Sequence, residues 1–142
     1  MKLLLVLCFL PHFMKCLELP QATIQIWNNI AKDNYQKCAE EFNIDLDLAE
    51  NYLSYLHFPD EKQFQCFLRC QYNDANLLTS EGYFDHAMVV DQVHFLTHEI
   101  AEKCIQEAHQ VTDYCERSYY AGTCSIAELL NIDRRDLAVR QN

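Results

Sequence analysis

The sequence contains very little glycine and proline, with two glycines, Gly82 and Gly122, and three prolines in 142 residues. Such a chain cannot build the glycine-rich loops that bind phosphate or calcium, and it contains no Gly-x-Ser-x-Gly motif to position a nucleophilic serine. Stretches in which apolar and polar residues alternate are also scarce, which argues against β-strands. Since half of the residues are hydrophobic, the sequence predicts an all-α fold with a substantial core.

A hydrophobic run long enough to cross a membrane is also missing. The apolar stretch at residues 3–10 is too short for a spanning helix, which needs roughly 20 residues. With Lys2 before this stretch and the small residue Cys16 after it, the pattern predicts a secretory signal peptide over residues 1–16. Cleavage after Cys16 and cleavage after Leu17 both stay open. Residues 17–142 are predicted to form a single secreted, extracellular domain whose short polar tail, from about residue 131, frays.

Positive charge is in short supply as well. The chain has 11 Lys and Arg against 21 Asp and Glu, a formal net charge of −10. Removing the predicted signal takes away Lys2 and Lys15 and no acidic residue, so the mature chain is more acidic still. Nucleic acids and anionic membranes bind surfaces on which Lys and Arg are clustered. We therefore expect that the protein neither binds nucleic acid nor inserts stably into a membrane.

Cysteine is plentiful by contrast, with eight residues. Cys8 and Cys16 fall in the predicted signal, and the remaining six predict three disulfides in a secreted chain. No tight Cys-x-x-Cys pair exists, and the oxidising compartment disfavours a zinc cluster or a redox pair in the stretch CFLRC at 66–70. Six cysteines allow 15 connectivities, among which spacing alone does not choose. The six are Cys38, Cys66, Cys70, Cys104, Cys115 and Cys124.

Hydrophobic periodicity and capping residues predict about six helices. We expect Asp47, Asp60 and Thr97 to cap the second, third and fifth of them, and either Thr112 or Asp113 to cap the sixth. The predicted ranges are approximately 21–42, 47–56, 60–73, 84–95, 97–108 and 113–130.

No motif indicates an enzyme, a cofactor or a metal site. The stretch HEIAE at 98–102 begins like the zinc-protease motif His-Glu-x-x-His, but Glu102 stands in place of the second histidine. His94 and His98 have helical spacing, yet the expected cap at Thr97 separates them into different elements. The sequence therefore predicts a non-enzymatic protein with no cofactor.

The cysteine spacing Cys38-x27-Cys66-x3-Cys70-x33-Cys104-x10-Cys115-x8-Cys124, behind a signal peptide in an acidic helical chain, resembles the insect odorant-binding protein family, which includes the pheromone-binding and general odorant-binding proteins. The resemblance covers about residues 20–130. It implies the pairing first with third, second with fifth and fourth with sixth, which gives Cys38–Cys70, Cys66–Cys115 and Cys104–Cys124. It also implies that the helices surround a central apolar cavity.

Aromatic residues at helical spacing are either ordinary core or the wall of such a cavity. Tyrosine suits a wall, because it adds one hydroxyl to an apolar surface. The predicted ligand-lining residues are Phe64, Phe67, Leu68, Met88, Tyr114 and Tyr119.

The resemblance implies a carrier that binds a small hydrophobic or amphipathic molecule, an odorant or pheromone, and takes it through aqueous lymph to a membrane odorant receptor. We expect a monomer or weak homodimer. Two alternatives stay open: the same fold used outside olfaction, as a salivary scavenger or reproductive-fluid carrier, and a ligandless protein-interaction module. Histidine protonation could control ligand release, although surface location is the ordinary role of histidines. The histidines concerned are His57, His86, His94, His98 and His109.

Overall fold

The structure is a computed structural model that describes residues 17–139, with side chains to residue 138. The predicted signal peptide, residues 1–16, lies outside the described residues. Within them the fold is all-α, as predicted, with eight helices and no strand; Leu78 and Phe84 form an isolated antiparallel bridge. The helices are α1 Gln21–Ala31, α2 Tyr35–Phe42, α3 Leu46–Tyr55, α4 Lys62–Asp74, α5 His86–Gln92, α6 His98–Ala108, α7 Tyr114–Leu130 and α8 Arg134–Val139.

The prediction of one helix over residues 21–42 was wrong, because the chain turns between α1 and α2. Asp33 and Asn34 lie in this turn, where the Asn34 N–H donates to the carbonyl oxygen of Ala31 at 2.9 Å. Asp and Asn favour turns over helix interiors because their short side chains compete for backbone hydrogen bonds. The buried positions continue across the break, from Trp27 on α1 to Tyr35 on α2.

Two predicted helix caps were wrong and two were confirmed. Asp45, not Asp47, caps α3, since its Oδ1 accepts from the Leu48 N–H at 3.3 Å. Helix α4 begins after Glu61, and Asp60 instead accepts a side-chain hydrogen bond from Gln65 at 2.8 Å.

The confirmed caps belong to α6 and α7. The Thr97 hydroxyl accepts from the Ile100 N–H at 3.2 Å, and Asp113, one of the two alternatives for α7, accepts from the Glu116 N–H at 2.9 Å. A side-chain oxygen that satisfies a free N–H of the first turn is what fixes the start of a helix.

The polar tail from about residue 131 was predicted to fray, but residues 134–139 of it form a helix. Asn131 adopts a left-handed conformation with φ 53°, which ends α7 and turns the chain into α8. Helix α8 packs on α7 and buries Leu137 completely. Burial of this leucine contributes about 1.5–3 kcal/mol towards holding the short helix against the protein.

The three disulfides confirm the implied pairing. Cys38–Cys70 joins α2 to α4, Cys66–Cys115 joins α4 to α7, and Cys104–Cys124 joins α6 to α7. The two sulfurs of CFLRC therefore hold two different neighbours of α4. Helices α4 and α7 make the most extensive contact between elements, so this pair forms the centre around which the others pack.

Candidate functional site

A cavity of about 70 Å³ lies beside α4 and α7, and its surface is almost entirely apolar. Helices α1, α3 and α4, the segments between helices, and α5 contribute large side chains to it. Among the described residues, none with an ionisable Asp, Glu, Lys, Arg or His side chain lines it. The aromatic part of the wall consists of Trp27, Tyr52, Phe58, Tyr72, Phe84 and Phe95.

A second part of the wall lies on α6 and α7, where small residues accompany Ile105 and Ile126. Ala121, Gly122 and Ser125 share one face of α7, and Ala101 and Cys104 face them from α6. Because these side chains are short, they leave the space that larger residues would fill. The Cys104–Cys124 disulfide ties α6 to α7 beside this wall, so the two helices cannot separate freely.

The third part of the wall is aliphatic and lies on short elements. Leu77, Val89, Val93 and Leu96 contribute to it, and they lie on the segment after α4, on the seven-residue helix α5, and on the turn that follows. Helix α5 packs mainly on α6. This side of the cavity therefore depends on a seven-residue helix and a turn.

Three ring side chains bring polar atoms to the cavity wall. The Tyr52 hydroxyl donates to the Gln71 side-chain oxygen at 3.1 Å, and burial raises the pKa of both Tyr52 and Tyr72 above the ordinary value. Among the described residues, the Trp27 indole N–H has no hydrogen-bond acceptor. Trp27 and Tyr72 meet edge to face, with ring centroids 5.6 Å apart.

The six residues predicted to bind ligand do not line this cavity. Phe64 and Phe67 are completely buried behind Tyr52, with ring centroids 5.6 and 6.1 Å from it. Leu68 is also fully buried, on the side of α4 that approaches Gly122. These three side chains thus support the wall from behind.

The other three lie in different surroundings. Met88 is half-buried on α5, and Tyr114 is exposed, with the guanidinium groups of Arg69 and Arg117 each 5.0 Å from its ring centroid. The Tyr119 hydroxyl donates to the Phe58 carbonyl oxygen at 2.7 Å, and burial raises the pKa of Tyr119 to about 12. A direct ligand contact by any of the six stays a prediction.

None of the lining residues was among the six predicted from the sequence to bind ligand, and they include small side chains as well as large ones. Attention to aromatic periodicity overlooked Ala121, Gly122 and Ser125, whose spacing places them on one face of a helix. A run of small residues on a long buried helix was the available signal for a hollow. Trp27 and Tyr52 were visible as aromatics, but their meeting across the fold depends on tertiary packing.

One histidine is connected to the cavity wall by a backbone hydrogen bond. The Phe84 N–H donates to Nε2 of His109 at 3.1 Å, so this nitrogen carries no proton. Burial of the imidazole, with the charge of Arg117 as a smaller cause, lowers the pKa of His109. Protonation of Nε2 would remove the acceptor that holds the backbone of Phe84.

The one group of potential metal ligands found in the described part of the chain is Cys38, Cys70 and Asp74. Both sulfurs are used in a disulfide, and the Asp74 carboxylate pairs with Lys37 at 2.7 Å. The group therefore offers no thiolate, which is the form in which cysteine binds metals. Searched over residues 17–139, the structure has no helix that combines the length and apolarity needed to span a membrane.

Comparison with known proteins gave two matches. The model of the PBP/GOBP family matches residues 12–128. General odorant-binding protein 57c of Drosophila melanogaster is 26% identical over 100 residues, which make up 68% of this chain and 61% of that protein. The chain thus spans less than two thirds of this relative's length. No solved structure matched the chain.

Proposed function

Because the chain belongs to the PBP/GOBP family, which confirms the resemblance to insect odorant-binding proteins, we propose that it is a secreted, non-enzymatic carrier of small hydrophobic molecules. The ligand occupies the cavity beside α4 and α7, and the protein moves it through an aqueous fluid to a membrane receptor. Three disulfides suit an extracellular chain, since such bonds persist in oxidising compartments.

The observation that carries this proposal is the apolar cavity inside a cross-linked helical fold. Each Å² of apolar ligand surface removed from water contributes about 25 cal/mol. Ordinary cores are packed nearly without voids, so a hollow lined by buried core residues costs stability. The disulfides offset that cost by restricting the unfolded chain.

The size of the cavity restricts the ligand. Its volume of about 70 Å³ is well below the roughly 300–1,000 Å³ of pockets that hold drug-sized molecules. The protein in this state therefore suits a compact ligand. We propose that a longer ligand enters by displacing α5 and the turn that carries Val93 and Leu96, because this part of the wall is only a seven-residue helix and a turn.

Displacement of a fluorescent apolar probe tests the proposal. The protein without its signal is refolded, its three disulfides are verified by peptide mapping, and co-purified lipid is removed. Saturable probe binding that some volatile alcohols, esters, acids or amines reverse, and others do not, supports a carrier. Absence of probe binding by the folded protein contradicts it and favours a protein-interaction module.

A matched pair of variants locates the binding. Ala121→Leu fills the cavity from α7, whereas Ala87→Leu makes the same change at an exposed position of α5. We expect the first to weaken probe binding at least tenfold and the second to leave it unchanged. Equal binding by both variants would mean that the probe binds elsewhere.

The fluid and the assembly state complete the proposal. We propose sensillum lymph as the fluid and a monomer or weak homodimer as the active form. Localisation of the protein by antibody separates this from saliva or reproductive fluid, and sedimentation at several concentrations measures the association.

A further inference from the structure

The polar atoms of the cavity are concentrated on one side, where Trp27, Tyr52 and Tyr72 meet. Trp27 comes from α1, Tyr52 from α3 and Tyr72 from α4, and all three line the cavity. The rings of Trp27 and Tyr72 are in edge-to-face contact at 5.6 Å. The rest of the lining is apolar, apart from the Ser125 hydroxyl, which donates to the Ala121 carbonyl oxygen at 2.8 Å within α7.

Two donors on this polar side are unused. The Tyr52 hydroxyl already donates a hydrogen bond to the Gln71 side-chain oxygen. The Trp27 N–H lies near the Tyr52 hydroxyl oxygen, but its geometry falls short of a hydrogen bond. Within residues 17–139, no hydrogen bond is found for the Tyr72 hydroxyl, whose side chain is mostly buried. Buried donors nearly always have partners, so the unpaired Trp27 N–H beside a cavity points to a ligand atom. The Tyr72 hydroxyl, on the ring in contact with Trp27, can donate to the same atom.

The wall also disfavours a charged ligand. Over the described residues it contains neither a base to pair with a carboxylate nor an acid to pair with an ammonium group. An ion transferred into such a space loses its hydration without compensation, which is far more costly than burying a neutral polar group. The ligand that fits is therefore neutral.

We propose, on the premise that the cavity is the carrier site, that Trp27 and Tyr72 form a hydrogen-bonding end that selects neutral ligands bearing a carbonyl oxygen, such as ketones, aldehydes and esters. A carbonyl oxygen has two lone pairs, one for each unused donor, and brings no proton that needs an acceptor. The apolar remainder of the ligand lies against the small residues of α7. Alkanes of the same shape leave both donors unpaired, and carboxylates bring an uncompensated charge.

The test compares three ligands of equal carbon number: a 2-alkanone, the n-alkane and the fatty-acid anion. Each is titrated at pH 7.5 against one bound fluorescent probe. We expect the wild-type protein to bind the ketone at least tenfold more tightly than either of the others. A single hydrogen bond contributes enough to change affinity by about 3- to 10-fold.

Two variants remove the donors one at a time. Tyr72→Phe should lower the affinity for the ketone by about 3- to 10-fold and leave the affinity for the alkane unchanged, because only a hydroxyl is removed. Trp27→Phe also removes apolar wall, so its expected effect is a ratio of ketone to alkane affinity lower by about 3- to 10-fold. Tyr119→Phe is the matched control, because its hydroxyl bonds to Phe58 and not to a cavity ligand; the ratio of ketone to alkane affinity should stay at the wild-type value. If Trp27→Phe does not fold, Tyr72→Phe alone decides.

The outcomes separate this inference from the proposed function. If ketone and alkane bind equally well to wild type and to Tyr72→Phe, or if the fatty-acid anion binds best, the inference is overturned while the carrier function stands. If no ligand displaces the probe from the folded protein, both fail. Loss of ketone preference in Tyr72→Phe, with alkane binding retained, supports the inference.

Discussion

Gly122 on α7 lies directly against the hydroxyl of Tyr72 on α4. A methyl group added at Gly122 would lie 2.3 Å from that oxygen, well inside van der Waals contact. Gly122 does not have the positive φ that distinguishes Gly82. Its place in the middle of a long helix is therefore explained by the space that Tyr72 needs.

Gly122→Ala should have opposite effects in two backgrounds. In the native chain, the methyl group displaces a Tyr72 ring that is held by Trp27 and Phe84, with centroids at 5.6 and 5.7 Å, so we expect a lower free energy of unfolding. In Tyr72→Phe the clashing oxygen is gone, and the next atom, Cζ of residue 72, is at an ordinary 3.6 Å. There the better helix propensity of alanine should stabilise by about 1 kcal/mol.

Urea unfolding of the four proteins in this cycle measures the effect. Equal changes on Gly122→Ala in both backgrounds would mean that the hydroxyl does not restrict this position.

Tyr119→Phe should lower stability and spare ligand binding. The substitution leaves the buried Phe58 carbonyl without its 2.7 Å hydrogen bond, which costs about 1–3 kcal/mol. Tyr55→Phe is a suitable control, because the Tyr55 ring is exposed and its hydroxyl pairs with Asp47 at the surface; we expect no measurable change there. Thermal unfolding and probe titration together test this. A large loss of ligand affinity in Tyr119→Phe would mean that the Tyr119 side chain contacts the ligand.

Capping residues correctly predicted where α6 and α7 begin, because a cap acts within the first turn of its own helix. Asp113 has Glu116 three residues on, and Thr97 stands at the start of a periodic segment; both caps were found. The break at Asp33 and Asn34 was missed because the apolar period continues across it. Helix α8 was missed because its stability comes from the burial of Leu137 against α7, which polar neighbours conceal.

The cavity was harder to predict than the disulfides. The cysteine spacing predicted the disulfide pairing through the family resemblance. A cavity, by contrast, forms where side chains from different elements do not fill the space between them. Phe64 and Phe67 have the periodicity of a wall, yet they pack against Tyr52. The wall itself is assembled from helices far apart in sequence, which no local pattern encodes.

Removing different disulfides should separate stability from binding. Cys66 and Cys115 are 49 residues apart and Cys104 and Cys124 are 20 apart; loop entropy then gives losses of about 4 and about 3 kcal/mol for the paired alanine variants. Cys104 lines the cavity, so the Cys104→Ala, Cys124→Ala protein should show the larger loss of ligand affinity despite its smaller loss of stability.

The Cys38–Cys70 bond provides the control for the disulfide variants. Neither of its residues lines the cavity, and its span of 32 residues is intermediate. Removing it should reduce stability to an intermediate degree and leave ligand affinity near the wild-type value. If affinity follows stability across the three variants, the binding loss is a general consequence of unfolding and the wall has no special dependence on Cys104–Cys124.

His109 should make stability and ligand binding sensitive to mild acid. Burial and then Arg117 lower its pKa in the folded state, below the roughly 6.5 of an unperturbed histidine. The unfolded chain therefore takes up the proton first as pH falls. This contribution to stability is fully present above about pH 6.5 and is lost as pH falls from there towards the lowered folded pKa. Protonated His109 also ceases to accept from the Phe84 N–H, so the wall loosens.

Measurement of unfolding midpoint and ligand affinity at pH 7.5 and 5.0 tests this. His109→Gln keeps a hydrogen-bond acceptor without a titrating group and should show the smaller change with pH in both quantities. His94→Gln, at an exposed position, should behave as wild type. An identical pH response in wild type and His109→Gln would assign the sensitivity to other titrating groups, the remaining histidines and the acidic residues among them.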